Sequence, residues 1–123
     1  MVRKRILVVD DSEIVLDMAR QALEEEDFEV VTATSAMEAN EYIFCENKPA
    51  LIIMDVMLPM LDGDKKAKML KENELTREIP ILLLSSKPEN ELRWLVQESG
   101  ADGFLRKPFT KRLMVAKVED TIR

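Results

Sequence analysis

Four strand-like stretches in this chain each end on a reactive polar group. Ile6-Leu7-Val8-Val9 closes on Asp10 and Asp11, and Leu51-Ile52-Ile53-Met54 closes on Asp55. Ile79-Pro80-Ile81-Leu82-Leu83-Leu84 delivers Ser85, and Gly103-Phe104-Leu105-Arg106 presents Lys107-Pro108. Three carboxylates brought to one place repel, and a hard divalent cation with oxygen ligands relieves that repulsion; Mg2+, which keeps waters and uses few carboxylates, suits the set best. A carboxylate, a divalent metal, a lysine and a hydroxyl are the parts needed to accept a phosphoryl group onto the carboxylate. An ionised Asp55 needs no base, so a chain without histidine loses nothing for this chemistry.

Each residue also has a plainer reading on its own. Asp10 and Asp11 could cap a helix, Lys107 could be a surface lysine, and Phe104 could be an ordinary core aromatic. It is their joint placement at strand ends that favours a site, because ligands of open α/β sheets bind beyond the carboxyl ends of the strands.

The elements that must position these groups alternate. After Asp11, Ser12 caps a helix carrying Ile14, Val15, Met18, Ala19, Ala22 and Leu23 at helical spacing, read as its core stripe. Phe28 to Thr32 reads as a short strand, and Ser35 begins a helix through Ala36, Ala39, Ile43 and Phe44 toward Asn47. Cys45, the only cysteine, reads as a small residue of that helix. The loop Val56 to Gly63 carries Pro59 and Gly63 as turn residues, and the lysine-rich segment after it reads as a helix with a solvated face. A helix from Pro88 ends at Gly100, and the last helix begins at Thr110.

Strand and helix in strict alternation imply an α/β fold: a doubly wound, five-stranded parallel sheet in the flavodoxin-like order 2-1-3-4-5, flanked by five helices. The three aspartates then converge where the strand order reverses. With 123 residues the chain is read as a single domain, 1–123. The formal charge of −6 argues against a nucleic-acid surface on this domain, and no apolar run approaches a membrane span. Asp10 and Asp11 interrupt any signal-peptide core, so the expected location is cytoplasmic. The eight methionines are read as core filler.

The segments Ile6 to Ser12, Leu51 to Gly63, the strand ending in Ser85, and Gly100 to Phe109, in this order and spacing, resemble the receiver domain of two-component response regulators over essentially the whole chain. The resemblance implies that Asp55 accepts phosphate from the phosphohistidine of a sensor histidine kinase or phosphotransfer protein. It implies that Asp10, Asp11, Asp55 and the backbone carbonyl of Met57 hold Mg2+. Ser85 would be the switch hydroxyl, Lys107 the lysine of the pattern, Phe104 the switch aromatic, and Lys107-Pro108 a cis bond. Ser85 stands where threonine is frequent, Met57 and Lys87 stand where the family varies, and Asp64 is more polar than usual.

A chain of this kind catalyses its own phosphorylation and dephosphorylation and is not expected to turn over an external metabolite. The alternative is a phosphorylation-independent pseudo-receiver that serves only as an interaction module. Its usual sign is loss of the acceptor, acid pair or lysine, and none is lost here. A phosphate-ester hydrolase working through an aspartyl-phosphate would carry an acid two residues after the nucleophile, where this chain has Met57. In the helix from Pro88, the stripe Leu92, Leu95, Val96 and Ser99 is the natural core face, so Trp94 points away from it. Trp94, with Arg93, Gln97 and Arg106, is the expected phosphorylation-sensitive contact to a downstream protein target or to a second copy in a homodimer.

Overall fold

The computed structural model describes residues 3–122. Among these are five strands and five helices in strict alternation. They are β1 (Arg5–Val9), α1 (Glu13–Glu24), β2 (Glu29–Ala33), α2 (Asn40–Ile43), β3 (Leu51–Asp55), α3 (Gly63–Glu72), β4 (Ile81–Ser85), α4 (Glu89–Ser99), β5 (Gly103–Arg106) and α5 (Lys111–Ile122). The sheet is parallel throughout and ordered β2-β1-β3-β4-β5, as the alternation predicts.

β1, β3 and β4 are central and covered on both faces, which is why their sequences are unbroken apolar runs rather than alternating ones. One apolar layer joins Leu7, Val9, Ile52, Met54 and Leu83 to Ala67, Leu70, Leu92 and Leu95, so α3 and α4 cover that face. The other joins Ile6, Val8, Ile53 and Leu84 to Leu16, Leu23, Met114 and Val118, beneath α1 and α5. Phe104 packs with the first layer and its neighbour Leu105 with the second, as successive strand residues must.

Several elements differ from their sequence reading. The core stripe of α1 is Leu16, Ala19, Ala22 and Leu23, and Ile14 is 80% exposed. The helix expected from Ser35 to Asn47 contracts to Asn40–Ile43, because the preceding turns mix i→i−3 bonds, such as Asn40 N–H to Met37 O, with i→i−4 bonds. Cys45 consequently lies beyond α2, its Sγ set against the carbonyls of Tyr42 and Asn47. Core filling does not describe the methionines: Met54 and Met114 are buried, whereas Met37, Met57, Met60 and Met69 are among the exposed large apolar residues. The lysine-rich face of α3 is not uniformly solvated either, since Lys66 is buried. Asp64, polar where the resemblance implied otherwise, stands in the first turn of α3, where negative charge is favourable.

Candidate functional site

The carboxyl edge of the sheet gathers the predicted residues. Asp10 directly follows β1, and Asp55 ends β3. One carboxylate oxygen from each of Asp10, Asp11 and Asp55 lies within 4.8 Å of the others. Asp10 and Asp55 are buried, while Asp11 stands in solvent.

Local backbone bonds fix both buried acids. Asp10 Oδ1 accepts from the Ser12 amide at 2.9 Å, and Ser12 in turn caps α1 by accepting from Val15 N–H. Asp55 Oδ1 accepts from the Met57 amide at 3.1 Å. The 57 position is thus held beside the acid by its backbone, while its side chain is exposed.

Lys107 follows β5 through a cis Lys107-Pro108 bond, and its amide donates to Ser85 O at 2.7 Å. Its Nζ donates to Asp55 Oδ2 at 3.2 Å and lies 2.9 Å from Asp10 Oδ2. The contact to Asp10 has charge-pairing distance without the angle of a hydrogen bond, leaving that buried oxygen without a hydrogen-bond donor. Ser85, also buried, accepts from the Lys87 amide at 3.0 Å, so its hydroxyl proton remains available to a further acceptor.

The electrostatics follow from this packing. Burial, and then the negative charge of Asp10, push the Asp55 carboxyl above its ordinary range, against the Met57 amide and the Lys107 ammonium, which pull it down. Burial works against the Lys107 ammonium, but its contacts to Asp10 and then Asp55 outweigh burial and raise it. A site carrying two buried acids, a third acid beside them and one ammonium retains excess negative charge. An orphaned carboxylate oxygen, a three-acid cluster and an all-oxygen donor set fit a hard divalent cation.

A model of the family described as the response regulator receiver domain matches residues 6–119. This chain belongs to that family. The receiver is 39% identical, over all of its length, to the phosphate regulon transcriptional regulatory protein PhoB of Pseudomonas aeruginosa, covering 53% of that protein. It is 41% identical to the alkaline phosphatase synthesis transcriptional regulatory protein PhoP of Bacillus subtilis, over 98% of this chain and 49% of that one. The chain therefore spans about half the length of these curated relatives. Among solved structures, the chemotaxis response regulator CheY4 of Vibrio cholerae superposes with a TM-score of 0.90 at 27% identity, covering 98% of this chain and 99% of that one. A putative response regulator from Chloroflexus aurantiacus gives 0.91 at 32% identity, covering 98% of each chain.

Around the receiver's acidic cleft the structure adds contacts that the sequence does not reveal. Gly63 donates its amide to Val56 O at 2.8 Å, closing the β3–α3 loop beside Asp55. Arg106 Nε donates to Lys87 O at 2.9 Å and ties the end of β5 to the loop after β4. Ile14, Val15 and Met18 line an apolar groove with Ser86, Lys107, Pro108 and Phe109, directly beside the cleft. A mixed apolar stripe on α1 was the one signal for that groove. Trp94 is 58% exposed on α4, away from the buried Leu92, Leu95 and Ser99, and Arg93, Gln97 and Arg106 are exposed as well. Among the described residues, no helix is long and apolar enough to cross a membrane.

Proposed function

We propose that this receiver accepts a phosphoryl group on Asp55 from the phosphohistidine of a kinase or phosphotransfer protein and uses the product to switch a protein-interaction surface. The observation that carries this reading is the bridge of Lys107 Nζ between Asp10 and Asp55 at the mouth of the acidic cluster.

An Asp55 carboxylate oxygen forms the new O–P bond as the P–N bond of the phosphohistidine breaks and the pair of electrons returns to the imidazole. Asp10, Asp11, Asp55 and the Met57 carbonyl would hold Mg2+, which when bound neutralises charge on the transferring oxygens. Lys107, already aligned on Asp55, is placed to move its hydrogen bond onto a phosphoryl oxygen. Ser85 is placed to donate to another oxygen while its own acceptor side stays with Lys87 N–H. The apolar groove at Ile14, open beside Lys107, is a surface on which a donor protein can seat its own apolar side chains. Phosphorylation then acts through Ser85 and its loop, which Arg106 ties to β5, on Phe104 and the face bearing Trp94. This face is the contact for a downstream protein target or a second copy. The acceptor, acid pair and lysine are all present and assembled, so a pseudo-receiver is not favoured. The formal charge of −6 argues against direct nucleic-acid contact by this domain, and the whole reaction belongs in the cytoplasm.

Incubation with acetyl phosphate, followed by intact-mass and peptide analysis, tests the assignment. Phosphate is expected on Asp55, in Mg2+ and not in chelator, and none on Asp55→Asn. Equal incorporation in chelator, or phosphate at another residue of the wild-type chain, would overturn it.

A further inference from the structure

Lys66 lies in α3 at 5% exposure, and among the described residues the only hydrogen-bond partner of its ammonium is Asn40 Oδ1, a neutral acceptor on α2. Among the described residues no carboxylate pairs with it, although Lys71, on the same helix, has Asp102 at 2.9 Å. A buried ammonium without an anion is costly. Burial accordingly lowers the basicity of Lys66.

This ammonium lines a groove of about 370 Å3 between α2 and the β3–α3 loop, walled by Met37, Pro59, Met60, Leu61 and Met69. Met37 is 72%, Met60 97% and Met69 56% exposed, so three of the large apolar side chains left in solvent surround one buried cation. Met60 also holds a left-handed backbone at φ 68°, which disfavours any residue with a Cβ by roughly 1 kcal/mol or more. Three unfavourable features therefore meet at one place, and none of them serves the acidic cleft. Features that oppose stability concentrate where a surface has a task.

We infer that this groove is a docking site for an amphipathic helix of a partner protein, one that inserts a carboxylate among its apolar residues to pair with Lys66. Charge complementarity selects the carboxylate. The projecting methionines select a macromolecular partner over a small acid, because a molecule filling the groove would leave Met60 in water, whereas a helix laid across it would cover all three. Unbranched thioether side chains repack readily around such a helix. The β3–α3 loop supplies both this groove and Met57, so an occupant touches the segment that leads out of Asp55.

The test uses a synthetic amphipathic helix of about 18 residues with leucines at i, i+3, i+4 and i+7 and one glutamate between them, together with its glutamine counterpart. Carbon-13 methyl spectra of the methionines report where each peptide binds. The glutamate peptide is expected to shift Met37, Met60 and Met69 saturably and to bind about tenfold more tightly than the glutamine peptide, the worth of one charge-assisted bond. In Lys66→Met, which removes a buried charge and keeps an apolar side chain, the two peptides should bind alike. Equal affinities on the wild-type chain, shifts centred on other methionines, a preference that survives Lys66→Met, self-association through this groove in place of peptide binding, or no binding by either peptide would overturn the inference.

Discussion

A Cβ placed on Gly63 would stand 2.0 Å from the carbonyl oxygen of Asp55, so the first residue of α3 packs directly on the backbone of that residue. The obstacle is main chain rather than a flexible side chain, and the Gly63 amide is already committed to Val56 O. Gly63→Ala must push the β3–α3 loop away from β3. A loss of about 2 kcal/mol or more in urea unfolding is expected, in the upper range of overpacking, with slower phosphate uptake from acetyl phosphate. Wild-type stability and uptake in the variant would refute the contact.

Lys66→Met should raise stability at neutral pH by on the order of 1 kcal/mol, because an unpaired buried ammonium is replaced by an apolar side chain of similar length. The sign with pH is fixed by the direction of the shift. The folded state lowers the basicity of Lys66 below its ordinary value of 10.5, so the folded chain binds the proton more weakly than the unfolded chain. The penalty is complete below the lowered value and fades as pH rises from there toward 10.5. Urea midpoints of the two proteins should therefore converge at alkaline pH. A gap that stays constant from neutral to alkaline pH would count against the burial argument.

Lys107 binds two buried carboxylates before any phosphate arrives, so its role is not confined to the phosphorylated state. Lys107→Ala leaves Asp10 and Asp55 facing each other without a counter-charge, and a loss on the order of 2 kcal/mol is expected in chelator. Mg2+ should restore more stability to this variant than to the wild type, since the ion no longer competes with an ammonium. Thermal melts with and without Mg2+ decide this, and an equal metal-induced shift in both proteins would contradict it.

The strands and the acid cluster were legible because short apolar runs bounded by turn residues leave little choice of element, and in a doubly wound sheet the end of each run faces the same edge. Helix α1 was harder, since Ile14, Val15 and Met18 form a second apolar stripe that competes with Leu16, Ala19 and Leu23. Periodicity cannot separate a core stripe from a groove wall. Around Ala36 and Ala39 the spacing was helical, yet tighter i→i−3 bonds are mixed with the helical ones there, and spacing of apolar residues does not encode that choice. Lys66 was hidden within Lys65-Lys66-Ala67-Lys68, where one lysine turns inward beside Ala67 while Lys65 and Lys68 face solvent. The contact of Gly63 with Asp55 depends on tertiary approach, for which a lone Gly after an Asp gives only a turn signal.

Trp94 is the chain's only tryptophan, so its fluorescence reports on one surface alone. At 58% exposure it should emit at the long-wavelength, water-exposed end of the range in the unphosphorylated chain. The exposed flank of α4 offers it no apolar cover from Arg93 or Gln97, and Arg93 is engaged with Glu89 at 3.1 Å. Acetyl phosphate with Mg2+ is expected to move the emission to shorter wavelength if the face closes on a partner or a second copy, and to leave it unmoved in Asp55→Asn. If a second copy is the occupant, the shift should grow with protein concentration, and sedimentation should give a phosphorylation-dependent dimer weakened about thirtyfold or more by Trp94→Ala, the equivalent of the roughly 2 kcal/mol that marks an aromatic hot spot. Dimerisation, or binding of a downstream target, that is indifferent to Trp94→Ala would remove this residue from the output surface and leave its exposure without a task.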